Sequence, residues 1–150
     1  MKIQFTTQHP WFKRIILSTL NGPHSWGVYV EEVKKYQTPD VIVGINNKRE
    51  FSKIINKRRI YFSATIMSTP PVILFDPINF IYGVSRSKLT PDEYREYVIN
   101  HEFGHVLGQQ HVRCDRNKIC PIMYQMTRGI PHRSIANSRV LNHEKAKLKK

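Results

Sequence analysis

The chain has 150 residues, of which 24 are Lys or Arg and 11 are Asp or Glu, so its formal net charge is +13. Hydrophobic residues make up 40% of the sequence and aromatic residues 11%. This exceeds what an intrinsically disordered chain carries. A chain of this length buries roughly 70% of its unfolded surface in one domain. The composition therefore predicts a single basic domain over residues 1–150.

The positive charge is compatible with binding to nucleic acid, and also with a solvated surface that keeps a small protein in solution. The basic residues are scattered, with local runs at "NKRE", at "NKRRI" and in a tail at about 145–150. No nucleic-acid-binding motif accompanies them. We therefore expect a solvated basic surface and no specific nucleic-acid partner, with any binding to DNA or RNA weak and salt-sensitive.

The amino-terminal sequence "MKIQFTTQHPWFKR" lacks the apolar stretch and the small-residue cleavage site of a signal peptide. No run approaches the ~18 apolar residues of a membrane span. We expect a monomeric protein without a membrane span, soluble in the cytoplasm or elsewhere inside the cell.

The predicted elements begin with a helix over "WFKRIILSTL", because Trp11, Ile15, Ile16 and Leu20 lie at helical spacing and "NGP" follows. "WGVYVEEV" and "DVIVGI" predict strands on either side of the turn-rich "YQTPD". "RRIYFSATIM" and "PPVILFDP" predict two more strands.

A second helix has clear start and stop signals. Thr90 suits the N-cap, Pro91 the first helical position, and Glu93 completes a capping box with Thr90. Gly108 predicts the end of the helix, since glycine adopts the left-handed conformation common there. One side of this helix carries residues at steps of three and four, which are Tyr94, Tyr97, Val98, His101, Glu102 and His105.

The stretch "HEFGHVLGQQH" at 101–111 has the spacing of metal ligands. His101 and His105 leave the same helix face, and a turn at Gly108 lets His111 return as a third ligand. Glu102 leaves the helix about 100° further round, where it reaches a metal-bound water without binding the ion. Three imidazoles with one open position are typical of catalytic zinc. The pattern predicts one Zn²⁺ on the three histidines and peptide hydrolysis with Glu102 as general base.

This stretch resembles the H-E-x-x-H-x-x-G-x-x-H signature of the metzincins, a group of zinc peptidases. The resemblance implies that His101, His105 and His111 bind zinc, and that a methionine in a tight turn lies beneath the metal. In "CPIMYQMT" the candidate is Met123, with Met126 as the alternative. Tyr124 follows Met123 directly, so the zinc-ligand tyrosine that astacins place two residues after the methionine is not transferred to it. For Tyr124, a role in the pocket and a place in the core stay open.

The segments "YREYVINHEFGHVLGQQH" and "CPIMYQMTRG" also look like short bacterial zincins of uncharacterised function. That resemblance implies a minimal zincin-like domain. We expect an α+β fold in which a small, mostly antiparallel twisted sheet packs on the N-terminal helix and the active-site helix. A peptide or protein substrate could add as a strand to the sheet edge, for which "IYFSATIMS" and "PPVILF" are both candidates.

Several alternatives remain open from the sequence. Cys114 and Cys120 form a disulfide or stay thiols depending on the compartment, and one of them could serve as an extra zinc ligand. Asn100 either supports the site or is solvated. Besides a zinc peptidase, we consider an idle zinc-binding module and a basic nucleic-acid-associated protein.

Overall fold

The computed structural model describes residues 1–46 and 62–149. Within these ranges there are five strands and four α-helices: β1 (Lys2–Phe5), α1 (Pro10–Leu20), β2 (Glu31–Glu32), β3 (Val41–Ile45), β4 (Ala64–Ile66), β5 (Val72–Phe75), α2 (Pro77–Tyr82), α3 (Pro91–Val106) and α4 (Asn142–Ala146). Single 3₁₀ turns occur at Ser85–Ser87, Met126–Arg128 and Lys147–Lys149. The mixture of helices and strands agrees with the predicted α+β class.

The strands form one sheet in the order β2-β1-β3-β5-β4. β1 runs parallel to β2 and β3, and β3 runs parallel to β5, whereas β4 is antiparallel to β5. The predicted mostly antiparallel sheet is therefore wrong. A connection that contains a helix, such as α1 between β1 and β3, lets the later strand run in the same direction as the earlier one. Only the short link from β4 to β5 allows neighbouring strands to reverse.

One face of the sheet packs against the helices. Alternate residues of the three central strands are buried, as the two-residue period of a strand requires; they are Ile3, Phe5, Val41, Val43, Ile73 and Phe75. The ring of Phe12 in α1 lies 6.3 Å from that of Phe5 and 6.1 Å from that of Phe75. The buried face of α1 is Phe12, Ile16 and Leu20. Ile16 and Leu20 belong to the spacing that predicted the helix, whereas Trp11, which was also part of it, is 38% exposed.

Two strand predictions are confirmed and two only in part. "DVIVGI" contains β3 and "PPVILFDP" contains β5, but within "WGVYVEEV" only Glu31–Glu32 joins the sheet. Trp26 instead packs on α3, where its indole N–H donates to the carbonyl oxygen of Asn100 at 2.8 Å. In "RRIYFSATIM", 58–61 fall outside the described residues and the remainder contains β4. Of the two edge candidates, β4 is the edge and β5 is interior.

Helix α3 begins and ends as predicted. The Thr90 hydroxyl accepts a hydrogen bond from the Glu93 backbone N–H at 3.2 Å, and the Glu93 carboxylate accepts one from the Thr90 N–H at 2.9 Å. Past the last helical residue, Gly108 has a φ of 85°. Tyr94, Tyr97 and Val98, on the side of the helix that also carries the histidines, are buried.

The described part of the tail at 145–150 packs against the rest of the domain. Lys145 lies in α4 and donates from Nζ to the carbonyl oxygen of Pro23 at 3.0 Å. Its neighbour Glu144 is 2% exposed. None of the helices in the described ranges has the length and apolar character needed to cross a bilayer.

Candidate metal centre

The three predicted histidines lie together. Helix α3 presents His101 and His105, and the turn at Gly108 brings His111 back toward them. The Nε2 atom of His111 lies 3.2 Å from Nε2 of His101 and 3.1 Å from Nε2 of His105. Two nitrogens on one tetrahedral zinc, with bonds of about 2.0–2.1 Å, lie roughly 3.3 Å apart. The three imidazoles are therefore close enough to bind a single metal ion.

Backbone carbonyl groups fix which ring nitrogen carries the proton. Nδ1 of His101 lies 2.8 Å from the carbonyl oxygen of Ile122, and Nδ1 of His105 lies 2.9 Å from that of Gln109. Because a carbonyl oxygen only accepts, each Nδ1 must donate its proton. Each Nε2 then has a free lone pair directed at the common point. Hydrogen bonds of this kind orient metal-binding histidines in general.

Burial also keeps these rings neutral. It lowers the pKa of His101 to about 3, partly opposed by the hydrogen bond to Ile122, and it lowers the pKa of His105 as well. A metal competes with a proton for the same lone pair, so an imidazole that resists protonation is ready to bind. His111 is the exposed member of the group.

Glu102 lies in the same cleft and outside the histidine group. Its carboxylate Oε2 accepts a hydrogen bond from the Thr65 hydroxyl at 2.7 Å. Burial raises the pKa of Glu102 to about 7, and the Thr65 hydrogen bond opposes that rise. The Glu102 side chain therefore lines the same cleft as the three histidines, with a carboxyl group whose pKa is raised toward neutral pH.

Met123 packs on the helix turn between His101 and His105. It is 2% exposed, and its sulfur occupies the space that a Cβ on Gly104 would need. Met126 is also buried, but its sulfur accepts from the backbone N–H of Asn137 at 3.5 Å. Of the two methionines, Met123 thus contacts the turn that carries His101 and His105.

Tyr124 lies partly buried against the core, and its backbone takes part in a network under α3. The Tyr97 hydroxyl donates to the carbonyl oxygen of Tyr124 and accepts from the N–H of Met126, each at 2.9 Å. Tyr94 adds a hydrogen bond between its hydroxyl and that of Thr127 at 2.9 Å. These two tyrosines hold the segment that supplies the Ile122 carbonyl to the helix.

Cys114 and Cys120 are joined by a disulfide. It closes the chain between His111 and Ile122, which both contribute to the centre. Since both sulfurs are used, neither cysteine serves as an extra ligand. Asn100 is fully buried and its side-chain amide donates to the carbonyl oxygen of Glu96 at 3.0 Å, so a solvated position for it is wrong.

The centre opens into a cleft of about 490 Å³. One wall is the edge of the sheet, which contributes Phe62 to Thr65 and Met67, and the chain at Gln125, Thr127 and Arg128 also lines the cleft. The guanidinium of Arg128 lies 5.6 Å from the ring centre of Phe62. Strand β4 has one neighbour in the sheet of the described residues, so its other edge is unpaired there. Among the described residues, an unpaired strand edge therefore lies beside the candidate metal centre.

The residues around the histidines that sequence reasoning missed are Thr65, Gly104, Gln109 and Ile122. Two of these act through backbone carbonyl groups, for which side-chain identity gives no signal. Thr65 is a hydroxyl residue on a short strand, and nothing local marks its contact with a residue 37 positions away.

No curated protein matches the chain. A family model described as "Protein of unknown function (DUF3152)" matches residues 4–149, a range that includes the whole candidate metal centre. The chain therefore belongs to the DUF3152 family.

Proposed function

We propose that the protein is a zinc-dependent peptidase. The observation that carries the proposal is the convergence of three Nε2 atoms in a cleft that also holds the Glu102 carboxylate. The likeness of "HEFGHVLGQQH" to the metzincin signature supports the same chemistry.

The donor set suits zinc. Imidazole nitrogens are common zinc ligands, and structural zinc sites close all four positions with protein groups, often thiolates. Among the described residues, the group has three members, which leaves a fourth position for water. When bound there, zinc would lower the pKa of that water to about 7 and polarise a substrate carbonyl.

The roles of the protein groups follow from their placement. His101, His105 and His111 hold the ion. Glu102 accepts a proton at its carboxylate from the attacking water and delivers it to the nitrogen of the departing amine. Burial raises the pKa of Glu102 to about 7, so its carboxyl group holds a proton more readily than an exposed glutamate does, which suits the second of these transfers.

The proposed substrate is an extended peptide. A peptide in this conformation pairs with an unpaired strand edge through main-chain hydrogen bonds, while neighbouring pockets select side chains. Strand β4 offers such an edge, and Thr65 and Met67 of this wall face the same cleft as the histidines.

A catalytically idle metal-binding module is the second candidate. Such a module has no need for a carboxylate beside the metal, and leaving one buried there is energetically costly. Glu102 is only 6% exposed. Its retention in this position therefore favours hydrolysis. Among the described residues, no comparable arrangement favours the basic nucleic-acid-associated alternative.

The test compares metal content and cleavage in matched variants. Wild type is expected to bind one equivalent of zinc by elemental analysis and to cut members of a diverse peptide library, with loss of cutting on chelation and recovery with added zinc. His105→Ala should lose the tightly held zinc, because two imidazoles remain. His132→Ala, at an exposed histidine, is the control and should keep it. A full equivalent of tightly bound zinc on His105→Ala would contradict the ligand assignment.

A further inference from the structure

We infer that Thr65 is the positioning residue for Glu102, and that strand β4 thereby sets where the general base stands relative to a bound peptide. The inference rests on the proposed function.

The contact between the two side chains is short and partly buried. The Thr65 oxygen lies 2.7 Å from Glu102 Oε2 and 3.0 Å from the backbone carbonyl oxygen of Glu102. A hydroxyl has one proton to donate. Hydrogen bonds to a carboxylate are shorter and stronger than those to a neutral carbonyl. The proton therefore goes to Oε2, which leaves Oε1 as the oxygen that accepts a proton from water.

Thr65 is itself held rigidly. It pairs with Ile73 in the antiparallel β4–β5 ladder, which fixes its backbone. Its β-branched side chain has few χ1 rotamers. Glu102 has three side-chain torsions of its own. Among the described residues, the Thr65 hydroxyl is the one side-chain group that hydrogen-bonds to its carboxylate. A stiff residue thus orients a more flexible one.

The same strand would contact both reacting partners. One edge of β4 is bonded to β5, and the other is the edge proposed for the peptide. A peptide paired with β4 and a carboxylate hydrogen-bonded to β4 would both be positioned by the same strand. Their relative position is then set within a single strand, and small displacements of a catalytic group cost up to about 100-fold in rate.

The first test uses Thr65→Val, which removes the hydroxyl at nearly constant volume, and Thr65→Ser, which keeps it. With zinc at one equivalent in each, Thr65→Val should lower kcat by about 10- to 100-fold with little change in KM. Thr65→Ser should recover most of kcat. A wild-type kcat in Thr65→Val, a loss confined to KM, or an equal loss in both variants would overturn the inference.

The second test needs no hydrolysis. In crystal structures of the zinc-loaded variants, the Glu102 carboxylate should leave its wild-type position in Thr65→Val and keep it in Thr65→Ser. An unmoved carboxylate in Thr65→Val would overturn the inference. If wild type cuts no peptide, the proposed function fails, while this comparison still decides the role of Thr65.

Thermal unfolding of every variant checks that it is folded. Thr65→Ala is prepared as a second variant without the hydroxyl. If Thr65→Val does not fold, Thr65→Ala replaces it in both tests. If neither folds, the role of Thr65 is structural and the inference is wrong.

Discussion

His101, Glu102 and His105 lie within five residues of α3, yet each is supported from a different part of the chain. The Ile122 carbonyl orients His101, the Thr65 hydroxyl orients Glu102, and the Gln109 carbonyl orients His105. The imidazoles are held as donors at Nδ1, and the carboxylate is held as an acceptor. Single hydrogen bonds thus prepare the histidines for the proposed role of zinc ligands and Glu102 for the proposed role of general base.

Gly104 provides a test of the packing beneath the ligands. A Cβ at this position would lie 2.7 Å from the Trp26 ring and closer still to the Met123 sulfur. Gly104→Ala should therefore lower the free energy of unfolding by about 1–3 kcal/mol, as overpacking does. Urea denaturation measures the change. Helix propensity alone would stabilise the alanine variant by up to about 1 kcal/mol, so an increase in stability would contradict this packing.

Spacing along the chain was enough to predict His101, His105 and His111, because four residues on a helix and a glycine turn are local geometry. Their supports were not predictable in this way. Ile122 lies 21 residues from His101, and Thr65 lies 37 residues from Glu102. Contacts at that range depend on how the elements pack, which the local pattern does not specify.

Among the elements, the helices with explicit caps follow most directly from the sequence. The capping box of α3 was predicted, and α2 was missed although it has a comparable signal. The Asp76 carboxylate accepts from the Asn79 N–H at 2.9 Å, and Pro77 occupies the first turn. An Asp-Pro pair before an apolar run would have indicated this helix.

The sheet was harder to predict for a physical reason. Strand β1 pairs with β3 about a quarter of the chain away, so its direction depends on the path through α1. The strand β2 has two residues, too few for an alternating pattern. Among the described strands, only β4 and β5 pair through a short link, and theirs is the antiparallel pairing that the sequence suggested for most of the sheet.

The disulfide stabilises the connection between His111 and the segment under α3. Its removal should lower the free energy of unfolding by roughly 2 kcal/mol, the chain-entropy value for so short a loop. Urea denaturation of wild type with and without reductant measures this. The double variant Cys114→Ser, Cys120→Ser is the control, because its unfolding midpoint should match reduced wild type and ignore reductant. Equal unfolding midpoints for oxidised and reduced wild type would contradict this stabilisation by the disulfide.

At the scale of the whole molecule, the cleft is assembled from three separated segments. These are the edge strand β4 with its flanks, helix α3 with the following turn to His111, and the chain from Ile122 to Arg128. The sheet places β4 beside α3, and the buried Tyr94 and Tyr97 hold the third segment against α3. The family match over 4–149 covers all three segments. The domain as a whole therefore builds the site around a motif that is only eleven residues long.

The most direct test of the central claim compares wild type with Glu102→Gln, both at one equivalent of zinc, on a peptide that wild type cuts. Glutamine keeps the size of the side chain and can still accept the Thr65 hydrogen bond, but it cannot take a proton from water. The variant should keep its zinc and its thermal stability while cleavage falls by about 10²- to 10⁴-fold, the usual contribution of a general base. Cleavage by Glu102→Gln at the wild-type rate would contradict the account.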